Sequence, residues 1–375
     1  MDRAGALSAL HGGADVRLLD GYIVRAILGP VALVTAVVLV LSGLFLFIGQ
    51  QDDIGVGSYT VFDAIKFVLL NLPEQAWAML PVASLIGALI GLGSLARGSE
   101  ITVIRATGIS TWRIAGSALM AAVILIVLEV ALGEFIAPHL QLAAKQNKAF
   151  SKLSEVTFGS GGGAWVKDGN LIISAARQSG ERQFGGMTVF ELSPDHRLKA
   201  IGHADRATAG NATSGKTSGW TLGGYTESRF APDRVLTRPV GERMLQSRVS
   251  AEFLGLAVSD ANELDLASLY RVITYYRQNS LDARSYIFAF WSRIARTVGI
   301  AFAVLLAVPF VLGSLRSAGA GARTMVGMML GIVLFLLQRL IESGTLVFDL
   351  NPVVLAWIPT ALLGLLSVTL LARAK

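Results

Sequence analysis

The chain has 375 residues, 53% of them hydrophobic and 15% charged, with a formal net charge of +6 and a mean hydropathy of +0.59. This composition belongs to the membrane class and excludes an ordinary soluble domain. Cysteine is absent and only four histidines occur. Disulfides, thiol chemistry and zinc–thiolate sites are therefore excluded, and neither a metal nor a cofactor is expected.

In chain order, a polar tail over residues 1–20 precedes an apolar segment, Ile23–Ile48, that is too long for a removable signal peptide and lacks its small-residue cleavage site. Five more apolar segments follow: Trp77–Ala96, Ile114–Ile136, Tyr286–Leu312, Thr324–Val347 and Pro352–Leu371. Each is long enough to cross ~30 Å of hydrocarbon at about 1.5 Å per residue. The spacing predicts a six-span polytopic α-helical membrane protein. Tyr59–Leu72 is predicted as a surface helix that breaks at Pro73 before the second span.

Residues 91–114 (GLGSLARGSEITVIRATGISTWRI) join the second and third spans. Ser99 followed by good helix formers marks an N-cap, and Gly108 marks a C-cap, predicting a short helix Glu100–Thr107 within a connection of about 99–108. Arg97, Glu100 and Arg105 carry its charge. Two readings stand at this point: a coupling helix that docks on a cytoplasmic ATPase, or a linker whose arginines anchor the membrane face.

The third span contains Glu129 and Glu134, and the fifth contains Arg339 and Glu342. Ionisable groups at such depths face a cavity or a partner, and Arg339 and Glu342 are spaced to pair with each other. Beyond the third span, Lys145 and Lys148 lie three apart, on one helical face. Arg293 and Arg296 sit at the outer end of the fourth span with the same spacing. Long cations at this level read as interfacial anchors that snorkel to the headgroups.

Between the third and fourth spans lies a polar island, Pro138–Asn279. Ala164–Ala176 is spaced as a hairpin turning at Asp168-Gly169, and Met187–Leu192, Arg197–Ala207, Trp220–Phe230 and Val235–Val249 supply further strands. Short strands at this spacing predict a β-sandwich or jelly roll. Leu266–Asn279 returns as an amphipathic helix. The expected organisation is 1–137 for the tail and first three spans, 138–280 for the β domain and helical return, and 281–375 for the last three spans. Glycine-rich Gly159–Gly163 lacks the Lys-Ser/Thr of a phosphate loop, and no catalytic constellation occurs.

Short-loop basic residues fix the expected orientation. Arg3, Arg17 and Arg25, then Arg97, Arg105 and Arg113, then Arg316 and Arg323, then Arg373 and Lys375 fall on one side, against Asp52, Asp53 and Asp349 on the other. Both termini are expected in the cytoplasm and the island in the periplasm. The net positive charge is thus a membrane-topology signal, and no nucleic-acid binding is expected.

The segments LPVASLIGALIGLGSLARGSEITVIRATGIS (80–110), GEFIAP (133–138), AWVKDGN (164–170), FWSRI (290–294) and PFVLGSLRSAGAGAR (309–323) resemble the permease subunits of the bacterial lipopolysaccharide exporter, the LptF/LptG family, the LptG side more than the LptF. The resemblance spans nearly the whole chain from about residue 20. It implies six spans with a periplasmic β-jelly-roll, and an LptF-type partner permease. It also implies an LptB-type cytoplasmic ATPase dimer as the motor, an LptC-type single-span protein and an LptA-type periplasmic bridge. Lipopolysaccharide would be taken from the outer leaflet of the inner membrane, and the chain itself would be no enzyme. By the same resemblance Glu100 matches the position that meets the ATPase, and Lys145 and Lys148, with Arg293 and Arg296, match basic positions that touch the doubly phosphorylated glycolipid, the alternative being interfacial anchors. Two departures stand out: Leu46, where the family can offer a lysine, and Thr297, where a proline is expected. The competing readings are a membrane scaffold that tethers a periplasmic partner and an ion-coupled secondary transporter. The latter would predict broken helices in two inverted halves.

Overall fold

The computed structural model describes residues 4–56, 58–152, 164–168, 170–180, 183–193, 197–210, 218–231, 234–247, 261–278, 281–312 and 350–373, with separate positions between 322 and 341. The chain divides into two compact units. One comprises residues 1–49, 71–140 and 287–375, the other 50–70 and 141–286.

The first unit is helical. Helix α1 runs Ala4–Ile48, α2 Val61–Arg97, α3 Glu100–Ala106 and α4 Thr111–Val130. A π-helical turn, Ala131–Ile136, joins α4 to α5 (Ala137–Lys152) without a break. Among the described residues five helical stretches are long and apolar enough to cross a membrane: Leu18–Asp53, Val61–Arg97, Thr111–Lys145, Arg284–Leu312 and Pro352–Arg373. The expected fifth span, Thr324–Val347, falls largely outside the described residues, and Arg339 and Glu342 with it.

The expected break at Pro73 does not occur. Helix α2 is continuous through Pro73 and Pro81, because proline's fixed φ is itself helical and membrane helices tolerate the single backbone bond it removes. The polar tail is also not separate from the first span, since α1 is helical from Ala4.

The core of this unit is built largely from small and branched residues contributed by several helices. Ile23, Ile27 and Val31 of α1 pack with Leu85 and Leu89 of α2, and with Ala118, Ala121 and Ala122 of α4. Glycine sets how closely α1 and α2 approach. A Cβ on Gly91 would lie 2.0 Å from the Ala26 carbonyl oxygen, and one on Gly87 2.5 Å from the Val31 Cα. Leu33, Val37, Leu44 and Phe45 of α1 point outward, as hydrocarbon contact requires.

The second unit holds six antiparallel strands: β1 (Ala164–Asp168), β2 (Leu171–Gly180), β3 (Gln183–Leu192), β4 (Leu198–Ala209), β5 (Ser218–Phe230) and β6 (Val235–Ser247). Each pairs with its sequence neighbour, in the order β1-β2-β3-β4-β5-β6. The described part of the domain is therefore an up-and-down sheet. The expected hairpin closes where it was placed, with Asp168 opposite Leu171. Met187, Val189, Trp220, Leu222 and Tyr225 fill the inner face, and Trp220 meets Phe184 edge-on at 5.4 Å between ring centroids. The return segment forms α6 (Leu266–Gln278), whose Leu269, Val272 and Ile273 are buried at helical spacing. It is followed by α7 (Arg284–Leu312), and the last helix is α8 (Pro352–Arg373).

Because the α1–α2 approach leaves no room for a methyl, Gly91→Ala should destabilise the helical unit by about 1–3 kcal/mol. Gly29→Ala, where a Cβ meets nothing within 4 Å, should be neutral. Thermal unfolding of the two variants in the same detergent checks the difference.

Candidate functional site

Three polar clusters contain the residues singled out from the sequence. The first surrounds the short helix α3. It begins at Glu100 as expected, but Ser99 does not cap it. Ser99 lies in the left-handed region (φ 59°) and its side chain makes no capping bond. That conformation costs a non-glycine residue strain, so Ser99 is a tight corner between α2 and α3. The capping hydroxyl is instead that of Ser110, which accepts from the Arg113 amide at the start of α4. Gly108, at φ +91°, terminates α3 as predicted.

Arg97 and Arg105 are exposed, while Glu100 is half-buried and accepts a hydrogen bond from the Tyr22 hydroxyl of α1. A groove of ≈ 920 Å³ lies alongside, lined by Leu18, Leu19, Tyr22, Arg25, Val103 and Ile104. Below it, Arg113 donates to Asp20 at 2.7 Å and the Ser117 hydroxyl donates to the other Asp20 oxygen at 2.6 Å. This pairing of α1 with α4 went unnoticed in the sequence. Its signal was the lone carboxylate at the head of an apolar run.

The second cluster lies within the helical unit and joins Arg293 and Arg296 of α7 to the carboxylates of the third span. Arg293 is only 6% exposed. Its Nη1 donates to Glu134 Oε1 at 3.0 Å and to the Gly133 carbonyl at 3.1 Å. The π-helical turn explains how that carbonyl becomes available, since its wider hydrogen-bond pattern disturbs the regular ladder. Trp77 of α2 lies under both guanidinium groups, at 4.4 Å from Arg293 and 3.7 Å from Arg296. Gly133 is required there, because a Cβ would stand 2.2 Å from Trp77 Nε1. Glu129, one turn earlier, is fully buried, with no strict hydrogen bond to its oxygens among the described residues and with Arg296, Thr297 and Arg293 close by. Arg293 and Glu134 cancel each other's charge, which is how ionisable side chains persist in hydrocarbon. Thr297, the departure noted in the sequence, donates to the Arg293 carbonyl at 3.0 Å.

The third cluster belongs to the β-containing unit. Lys145 and Lys148 of α5 find separate partners despite their common face. Lys148 Nζ lies 2.5 Å from Asp53 Oδ2 and donates to Gln50 Oε1 at 2.7 Å. It stands 5.0 Å from the centroid of the Phe67 ring. Lys145 pairs with Glu263. The segment that supplies Asp53 is fastened to α5, since the Ser58 amide and hydroxyl both donate to the Ser151 carbonyl, at 2.8 and 2.9 Å. Tyr59 is buried beside it, and burial, with Asp53 and Asp63 nearby, pushes its phenol above the usual range. Among the described residues no group of histidines and carboxylates is arranged to hold a metal.

Apolar helices with internal neutral charge clusters, interrupted in sequence by a β domain, define a polytopic helical membrane protein with a folded polar insert. Residues 21–373 match the family model for the lipopolysaccharide export system permease LptF/LptG, and the chain belongs to that family. The chain is 30% identical to the lipopolysaccharide export system permease protein LptG of Escherichia coli K12, over 95% of its own length and 98% of the relative's. It is 26% identical to the Haemophilus influenzae protein of the same name, over 96% and 99%. The chain is therefore a transport component of lipopolysaccharide export, and an inner-membrane protein.

Removing one partner of a buried pair strands the other. Arg293→Met should destabilise the helical unit by about 3 kcal/mol, and the double variant Arg293→Met/Glu134→Met should recover most of that loss. Melting of the variants in lipid nanodiscs checks this, and equal losses in the single and double variants would refute the pairing.

Proposed function

We propose that this chain is the LptG-type half of a permease that lifts lipopolysaccharide from the outer leaflet of the inner membrane. An LptF-type subunit completes the cavity. An LptB-type ATPase dimer drives the cycle from the cytoplasm, and the glycolipid leaves through the periplasmic β domain toward LptC- and LptA-type proteins. The observation that carries this reading is the family match across residues 21–373. The α2–α3–α4 connection supports it, being a short helix with exposed arginines on the side that the basic-residue bias assigns to the cytoplasm.

In this reading both termini are cytoplasmic and the β domain is periplasmic. Helix α3 is the coupling helix, with Glu100 as the anionic contact for a cation on the ATPase and Arg97 and Arg105 as its flanking charges. The groove bounded by Leu18, Val103 and Ile104 gives the motor an apolar surface beside that contact. Lys145 and Lys148 meet the lipid A phosphates, for which a compact ammonium with three donors is suited. Arg293 and Arg296 serve the same negative substrate indirectly. Held by Trp77, Glu134 and the Gly133 carbonyl, they fix the outer end of α7 beside the third span.

Three measurements test the proposal. Glu100→Ala should reduce glycolipid export at least about tenfold, the loss of a charge-assisted contact at an interface, while membrane insertion stays unchanged. A single cysteine placed near Glu100, in a chain that has none of its own, should crosslink to a copurified ATPase. A scaffold would give no adduct. Lys145→Glu with Lys148→Glu should weaken photocrosslinking to lipopolysaccharide, and undiminished labelling would leave the lysines as interfacial anchors.

A further inference from the structure

Neither lysine of the intake pair waits bare for its substrate. Each is held by a carboxylate from a different segment of the chain. Asp53 comes from the 3-10 turn after α1 (Gln51–Asp53), and Glu263 from the 3-10 turn before α6 (Ala261–Glu263). The two carboxylates lie more than two hundred positions apart in sequence, yet they serve lysines three residues apart on α5. We propose that Asp53 and Glu263 are resting counter-ions of Lys148 and Lys145, exchanged for the phosphates of the exported glycolipid when it binds. This proposal rests on the reading that the lysines meet lipid A phosphates, and it adds the residues that set how tightly and how selectively they do so.

The geometry supports exchange over permanent bracing. The side chains of Lys148 and Asp53 are 25% and 22% exposed, and those of Lys145 and Glu263 are 47% and 18% exposed. Pairs that keep this much contact with water open more easily than fully enclosed ones. A lysine ammonium binds as a point charge with three rotatable donors, so it can pass from one oxyanion to another without moving its backbone. A phosphate offers three strong acceptor oxygens and up to two charges against a carboxylate's one, which favours the incoming ligand.

The turn that bears Asp53 does not swing away with its side chain. It is fastened by the Ser58–Ser151 bonds and by Tyr59, 2% exposed, whose hydroxyl donates to Gln50 Oε1 at 3.3 Å. Gln50 Oε1 also accepts from Lys148, so the ammonium stays aimed when Asp53 is displaced. The displaced carboxylate then remains beside the bound phosphate and repels it. Binding is therefore weaker than the lysines alone would allow, and release toward the next station is faster. An amphiphile without phosphate does not draw the ammonium groups from Asp53 and Glu263, so the two carboxylates leave its binding unaffected and temper only that of phosphorylated cargo.

The test uses the full chain in its complex with the partner subunits, reconstituted in nanodiscs. It compares binding and dissociation of fluorescent bis-phosphorylated lipopolysaccharide with those of its enzymatically dephosphorylated form. Asp53→Asn and Glu263→Gln keep shape and hydrogen bonding but remove the charge. Each should tighten binding of the phosphorylated form about two- to fivefold and slow its dissociation, the factor equivalent to one partly exposed ion pair. Neither should change binding of the dephosphorylated form, and added salt should narrow the gap. Equal or weaker binding of phosphorylated lipid by both variants, with the lysines still required, would show the carboxylates to be structural braces and overturn the proposal. If Lys145→Gln with Lys148→Gln leaves the phosphate preference intact, the assignment of the lysines to the phosphates fails first. The pair of isosteric variants guards against a folding defect in either one, which unfolding in the same nanodiscs would reveal.

Discussion

A guanidinium cannot remain in hydrocarbon without partners, and Arg293 draws two helices and a π-helical turn together to supply them. Its hydrogen bonds go to Glu134 and to the Gly133 carbonyl, and its face rests on Trp77. Three features of the helical unit follow from that constraint. The third span widens into a π-helical turn at Ala131–Ile136, residue 133 has no side chain, and Trp77 lies flat where a bulkier backbone approach would exclude it. Arg293 and Glu134 cancel each other's charge, so the pair costs far less in the bilayer than either would alone.

Around that polar knot, packing depends on small residues. Lipid chains are as apolar as leucine, so membrane helices gain little by hiding apolar surface from one another and must gain by close contact. The α1–α2 crossing at Gly87 and Gly91 and the alanines of α4 provide that contact. The β-containing unit obeys the opposite rule, because water surrounds it. Trp220, Phe184 and Tyr225 are sequestered on one face of the sheet, where burial of large aromatic area gives most of the stabilisation.

The charge pairs fall into two kinds by exposure. Arg293–Glu134 is enclosed and acts as a permanent tie. Lys145–Glu263 and Lys148–Asp53 are partly exposed through their lysines, and such pairs give way more easily than one built on a buried arginine. In the proposed function the first kind holds helices in register, and the second is the kind a phosphorylated cargo can borrow and return.

The membrane class, five of the six span positions, the β island and the family were legible in the sequence, because each rests on composition or on local periodicity. The hairpin at Asp168 closes as its turn residues demand, and Gly108 ends α3 as a left-handed glycine should. Other features depended on partners distant in the chain, and no spacing rule reaches those. The Pro73 break did not form, since proline's lost hydrogen bond is tolerable inside a membrane helix. Ser99 became a strained corner, not a cap. Lys145 and Lys148 share a helical face by periodicity, yet their counter-ions come from turns at residues 53 and 263. Local propensity decides where an element begins and which face is apolar. Only tertiary structure decides which charge meets which, because Coulomb attraction and desolvation act through space and are indifferent to sequence distance.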